Sequence, residues 1–221
     1  MIALRSVEQS YTTEILRKAI HLTSLLIPII YSFITKPTAL SILIPLTLAF
    51  VLSDLLRIWY QPAGELYERF FGFLLRSHER VSRGRKLNGA TWVLLSAALT
   101  LWIFPKVVFI TSFSILIVSD TSAALIGRRF GRHPFLRKTA EGALAFLVSA
   151  LVVVLLAPKV GTGIAEYAIG AVAALVGALV EAGVTGVDDN ISIPVSVGGT
   201  LWALYALMLP GLNVYALDRL G

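Results

Sequence analysis

The 221-residue chain contains no cysteine, which excludes a disulfide framework and any thiolate metal site. Only 14% of its residues are charged, against roughly 25% in soluble domains, so a water-soluble globule of this size is excluded as well. Histidine occurs three times and in no cluster, which removes the usual zinc patterns. There is no Gly-x-x-x-x-Gly-Lys-Ser/Thr phosphate loop and no protein-kinase catalytic loop, so any nucleotide must be held by another construction. A cleavable signal peptide is not expected: Glu14, Arg17 and Lys18 precede the first apolar run, and no clear small-residue cleavage site accompanies it.

What remains is apolar. With 57% hydrophobic residues and a mean hydropathy of +0.81, the chain reads as an integral membrane protein. Seven segments, near 15–35, 37–57, 87–104, 107–126, 142–157, 164–182 and 191–210, approach the length needed to cross about 30 Å of hydrocarbon as helices. The fifth is the shortest. The expected architecture is all-α, a polytopic bundle of about seven transmembrane helices forming a single domain over 1–221. Pro28 and Pro45 fall inside the first two segments, where neighbouring groups can satisfy the freed carbonyls. Gly170, Ala174, Ala178 and Ala182 recur every four residues on the sixth and favour close helix contact.

Charge tests the threading. With the helices alternating in direction, fifteen of the nineteen lysines and arginines fall on the N-terminal side, and only Lys36, Lys106, Lys159 and Arg219 fall on the other. That bias predicts the first side to be cytoplasmic. A basic face beside anionic lipid accounts for the net charge of +6, so no nucleic-acid partner is needed. The same threading gathers Arg17, Lys18, His21, Asp54, Arg57, Asn88, Asp120, Glu141, Glu181, Asp188, Asp189 and Asn190 on that face. Polar groups at membrane depth are costly and are functional candidates by default.

Residues 119–142 carry the densest chemistry. Asp120 has the hard oxygens that hold Mg²⁺, and Arg128, Arg129, Arg132, Arg137 and Lys138 follow it with the charge to neutralise phosphate. Gly127 and Gly131 flank two arginines just past the expected helix end, where backbone amides can approach phosphates. Asp54 and Arg57 have i, i+3 spacing and read as an internal ion pair, and Glu181 is open to the same reading. His78 and His133 read as loop residues. Trp59, Trp92, Trp102 and Trp202 suit the aromatic belts at the membrane surfaces.

Three blocks in order carry a family resemblance. Glu14-Ile-Leu-Arg17-Lys18-Ala-Ile-His21 resembles the Glu-x-x-Arg-Lys-x-x-His opening of the CTP-dependent lipid-alcohol kinases, which include dolichol kinase, phytol kinase, farnesol kinase and the CTP-dependent diacylglycerol kinase. Ser119-Asp120-Thr121 through Gly127-Arg128-Arg129-Phe130-Gly131-Arg132, then Lys138-Thr-Ala-Glu141-Gly142, is similar to that family's central signature; many members have glycine where Ser119 stands. Asp188-Asp189-Asn190-Ile-Ser-Ile-Pro194 resembles its Asp-Asp-Asn-x-x-x-Pro ending. The resemblance implies transfer of the γ-phosphoryl group of CTP to the hydroxyl of a membrane lipid alcohol, with Mg²⁺ or another divalent cation, at the cytoplasmic face of a cell membrane or an endoplasmic-reticulum-type membrane. Polyprenol, dolichol, phytol, geranylgeraniol and diacylglycerol are all acceptors of the implied kind, isoprenoid alcohols foremost.

Phosphoryl transfer is largely positioning and charge neutralisation, and the needed groups are present on one face. Asp120 reads as a metal ligand or as the carboxylate that orients the acceptor hydroxyl. Asp188 and Asp189 repel each other and so favour a metal ion, or else form an Asp-rich turn closed by Asn190. Through the resemblance, Arg17, Lys18, Gly127, Arg128, Arg129, Gly131, Arg132 and Asn190 are expected to hold the nucleotide. Arg17 and Lys18 are equally suited by themselves to anchor a helix at the positive side. His21, one turn beyond Arg17 on the same face, reaches the nucleotide or the hydroxyl, or is a structural group. Lys138 and Glu141 act on substrate or pair with each other at i, i+3. A cytidylyltransferase that makes a CDP-lipid needs the same face. An ion-coupled transporter is the non-enzyme alternative, and it calls for carboxylates near the bilayer midplane.

Overall fold

The computed structural model describes residues 2–71, 87–161 and 163–219. Helix α1 (Ile2–Thr23) is followed by α2 (Leu26–Phe33), so the first expected segment is two helices rather than one. The cause is Pro28, which has no amide to bond the carbonyl four residues back. The Ser24 carbonyl takes the amide of Ile27 instead, at 3.0 Å. Helix α3 (Lys36–Trp59) begins where the Thr35 hydroxyl accepts from the Thr38 amide, and it continues unbroken past Pro45. A short amphipathic helix, α4 (Gln61–Phe71), occupies what the sequence presents as the start of a basic loop. Most of that loop, including His78, lies outside the described residues.

Local chemistry sets the later boundaries too. Asn88 caps α5 (Gly89–Ile103), accepting from Thr91 N at 2.9 Å, and Pro105 forces the extended backbone that separates it from α6 (Lys106–Phe130). Two residue pairs, β1 (Pro134–Phe135) and β2 (Lys138–Thr139), form a small antiparallel hairpin. Thr139 then caps α7 (Ala140–Leu156), which stops short of Pro158. Helices α8 (Ile164–Gly183) and α9 (Asp189–Met208) follow, with a 3₁₀ turn at Ala216–Arg219.

The all-α membrane architecture is present, but the count of seven spanning helices is not. Among the described residues, five segments are long and apolar enough to cross: Thr13–Phe33, Lys36–Trp59, Lys106–Phe130, Ile164–Gly183 and Asp189–Met208. Helices α5 and α7 are apolar but have 15 and 17 residues, about 22 and 26 Å long, less than a bilayer core. Asn88 and Pro105 bound α5 more tightly than hydropathy alone suggests, whereas α7, between Thr139 and Pro158, keeps close to the short length expected of it.

Helix α6 runs through the centre, packed by α1, α2, α5, α7 and α9. Phe109, Phe113, Ile115, Leu116 and Ile117 are fully enclosed along it; Phe109 stacks on Phe113 at 5.3 Å and meets the edge of Tyr31 at 5.4 Å. In lipid, helices associate through close packing rather than exclusion of water, which favours small interfacial residues. The expected stripe on α8 does this: Gly170, Ala174, Ala178 and Ala182 are all buried, and a Cβ on Gly170 would run into Val154 of α7. The outer flanks expose Ile29, Ile30 and Phe33 on α2, Leu48, Leu52 and Leu56 on α3, and Leu155 and Leu156 on α7. So large an apolar surface matches acyl chains and not water, and the protein is an integral membrane protein.

Polar groups gather at the two ends. At one, the acids serve the local backbone. Glu166 accepts from the amides of Val160 and Gly161 and from the Tyr205 hydroxyl, and Asp218 accepts from the Lys106 amide. At the other, Asp54 and Arg57 form the internal ion pair expected of them, closed by Asn88 and Thr91. That end also holds the groups described next.

Candidate functional site

Asp120 sits in the C-terminal half of α6 and faces α1. Lys18 and His21 stand three residues apart on α1 and therefore share a face. The Lys18 ammonium donates to Asp120 Oδ2, and the His21 Nε2 lies 3.7 Å from the same oxygen. Both Lys18 and the carboxylate are largely enclosed, and their pairing is what makes two buried charges tolerable.

A second group forms around Lys138. Its Nζ donates to Glu181 Oε1 on α8 at 2.6 Å and to Asp189 Oδ2 in the first turn of α9 at 3.0 Å. Burial pushes this ammonium toward its neutral form, but Asp189 and then Glu181 outweigh it and raise the pKa above the ordinary lysine value. Lys138 thus stays charged. The β1–β2 hairpin delivers it: Leu136 at the turn takes a left-handed φ of 52°, and the Arg137 amide donates to the Ala182 carbonyl at 3.1 Å, tying the turn to the end of α8. A left-handed conformation is unusual for leucine, and such strain persists only where the surroundings enforce it.

These pieces line one cleft of about 400 Å³, walled by Asp120, Arg137, Lys138, Glu181, Asp188, Asp189 and Asn190. Beside Lys18 on α1, Glu14 binds Arg17 at 2.9 Å and Arg128 of α6 at 3.1 Å. Glu14 is buried while the Arg128 side chain is 47% exposed, so the carboxylate is an anchor and the guanidinium faces outward. Five carboxylates and five cations from α1, α6, the hairpin, α8 and α9 are thereby brought to one end of the bundle.

Several expected positions differ. Lys138 and Glu141 do not pair. Thr139 caps α7, so Lys138 precedes the helix and the i, i+3 geometry does not apply. Glu141 instead holds His133 Nδ1 at 2.7 Å, on the exposed side of the hairpin. Gly127 is not beyond a helix end, because α6 continues to Phe130. It marks the α6–α7 crossing: a Cβ there would lie 3.4 Å from Gly142 Cα and 3.1 Å from Thr139 Oγ1, and one on Gly131 would lie 2.7 Å from Thr139 Cγ2. Both glycines therefore serve close packing. Arg129 lies over the Phe130 ring at 5.5 Å, and both Arg129 and Arg132 are exposed and outside the cleft lining. Asp188 forms the Asp-rich turn, its Oδ1 accepting from Asn190 N at 3.0 Å and Nδ2 at 2.6 Å.

Sequence reasoning left Glu181 open and gave Glu14 no role of its own. The available signal for Glu181 was its isolation in a run of alanine, glycine and valine. For a divalent cation, the cleft offers hard carboxylate oxygens of the kind Mg²⁺ takes. Among the described residues no three acidic or imidazole groups converge to hold an ion by themselves. Mg²⁺ commonly uses one or two carboxylates and completes its shell with substrate phosphates and water.

No protein-family model matches the chain, and no solved structure matches it. It is 28% identical over 190 residues to an uncharacterised protein of Rickettsia prowazekii, covering 85% of this chain and 93% of that one. It is also 33% identical over 121 residues to the CTP-dependent diacylglycerol kinase 1 of Saccharomyces cerevisiae, covering 53% of this chain and 40% of the yeast protein. With the Schizosaccharomyces pombe protein of the same name it shares 28% identity over 159 residues, covering 65% and 70% of the two chains. These similarities are distant and, for the two kinases, partial.

Proposed function

We propose that this protein is a CTP-dependent lipid kinase that transfers the γ-phosphoryl group of CTP to the hydroxyl of a membrane lipid, leaving CDP. The observation that carries the reading is the meeting of Asp120, Lys138, Glu181 and Asp189 in one cleft at the end of a membrane bundle, beside Lys18, Arg17 and Arg128. Two distant relatives bear the names of CTP-dependent diacylglycerol kinases, which supports CTP as donor.

The acceptor oxygen forms its bond to the γ-phosphorus as the bond from that phosphorus to the β–γ bridging oxygen breaks, and the hydroxyl proton passes to the Asp120 carboxylate. Lys18 and His21 fix that carboxylate. Arg17 and Arg128, held together by Glu14, present a pair of guanidiniums to phosphate oxygens, a geometry suited to bidentate contact. Lys138 and Arg137 add charge from the hairpin. Asp189 would hold Mg²⁺, which would supply neutralisation of charge on the leaving CDP. Asn190 fixes the turn that presents Asp188 and Asp189.

The acceptor tail lies along the apolar flanks, with its hydroxyl at the charged end. By the distribution of lysine and arginine, that end faces the cytoplasm. Diacylglycerol and isoprenoid alcohols both meet this description. The test is protein reconstituted in liposomes with γ-labelled CTP or ATP and a panel of lipid alcohols. Labelled lipid phosphate with CDP is expected. Release of pyrophosphate and formation of a CDP-lipid would identify a cytidylyltransferase and overturn the reading.

A further inference from the structure

Glu181 is the cleft residue that the phosphoryl-transfer chemistry leaves unused. It closes α8, is 3% exposed and opens onto the cleft. Its Oε1 holds Lys138, while its Oε2 is buried and accepts no hydrogen bond. Leaving a buried carboxylate oxygen unsatisfied is unfavourable, and each such group calls for an explanation. A structural ion pair does not supply one. One acid would suffice to neutralise Lys138, yet Asp189 lies on the same nitrogen, and Asp120 and Asp188 line the same cleft.

We propose that Glu181 is a divalent-cation ligand together with Asp189, and that the Lys138 ammonium occupies the cation's place until metal and nucleotide arrive. The inference rests on the kinase reading. Glu181 and Asp189 each present an oxygen to one nitrogen within 3.0 Å, and Mg²⁺ holds such oxygens at about 2.1 Å, so a small inward movement closes the pair on an ion. Oxygen donors without sulfur or imidazole favour Mg²⁺ or Mn²⁺ over softer metals. Lys138 extends on a flexible four-carbon stem from a two-residue strand, so it leaves by side-chain rotation alone. Released from its acids, it turns to the incoming phosphates, whose negative charge takes the place of the two carboxylates beside it. Exchange of one cation for another spares the acids an unpaired state.

The test is Mn²⁺ alone, titrated into detergent-solubilised full-length protein and followed by electron paramagnetic resonance without nucleotide. Lys138→Met should bind Mn²⁺ about tenfold more tightly than the unaltered protein, because the competing ammonium is gone, while losing affinity for CTP. Adding Glu181→Gln should remove that gain, by about tenfold or more, the usual effect of losing a metal-site partner. A purely structural lysine predicts no gain. Equal Mn²⁺ affinity in Lys138→Met and the unaltered protein, or a gain that survives Glu181→Gln, overturns the proposal. If Glu181→Gln does not fold, Glu181→Asp on the Lys138→Met background replaces it, and unchanged affinity there is equally fatal. Product analysis of the unaltered protein tests the kinase reading separately, so a bound Mn²⁺ without lipid phosphate would reject that reading and not this site.

Discussion

Replacing Asp54 by alanine should destabilise the protein by about 4 kcal/mol. Asp54 is 0% exposed and Arg57 1% exposed, and the carboxylate accepts at least four hydrogen bonds. Arg57 Nε at 3.0 Å and Asn88 Nδ2 at 2.9 Å reach Oδ1; the Asn88 amide at 2.7 Å and Thr91 Oγ1 at 2.8 Å reach Oδ2. Polar bonds between membrane helices average about 0.6 kcal/mol each, which sets a floor of roughly 2.5 kcal/mol for four. Removing the acid also takes away the charge that balances a buried guanidinium, and broken buried ion pairs lose about 3–5 kcal/mol. The second effect decides the size. The double replacement Asp54→Leu with Arg57→Met removes both charges but leaves the Asn88 and Thr91 donors without their acceptor, so it should recover about half of the loss. Reversible unfolding in mixed micelles measures each variant, and turnover per folded molecule should not change, because Asp54 does not line the cleft. A loss below about 1 kcal/mol for Asp54→Ala, or no recovery in the double variant, would refute the reasoning.

Asp120→Asn keeps the shape of the side chain and removes its charge, so turnover should fall by about 10²–10⁴-fold while membrane insertion is unchanged; near-normal turnover of the purified variant rejects a role in proton transfer. Arg128→Ala should raise the KM for CTP by about tenfold or more and leave the lipid KM alone, as expected for one charge-assisted contact; initial-rate kinetics with each substrate varied will separate the two. Gly142→Val forces a Cβ to within 3.1 Å of Thr139 Oγ1 and 3.2 Å of the Ala123 carbonyl, and should lower stability by about 1–3 kcal/mol in the same micelle assay. Single cysteines at 120 and 189 should react with an impermeant thiol reagent from the same side of sealed vesicles, and labelling from opposite sides would dismantle the cleft.

The sequence alone determined the membrane setting, the helical class and most helix boundaries, because these depend on local quantities. Hydropathy selects the apolar stretches, while Thr35, Asn88 and Thr139 start helices and Pro105 and Pro158 limit them through the backbone beside each residue. The Asp54–Arg57 pair was readable for the same reason, since its partners stand one helical turn apart. Local rules misjudged the count of spanning helices, where two short capped helices were counted among those that cross. They also misplaced Gly127, because a glycine that lets two helices touch looks the same in sequence as one that ends a helix. Only the tertiary structure decided which acid meets which base: Lys18 finds Asp120 across 102 residues, and Lys138 finds Glu181 across 43 and Asp189 across 51. Those pairings depend on how each helix is rotated about its own axis and how deeply it sits against α6. Rotation and depth are set by the summed packing of many side chains, and no local run of residues contains that information.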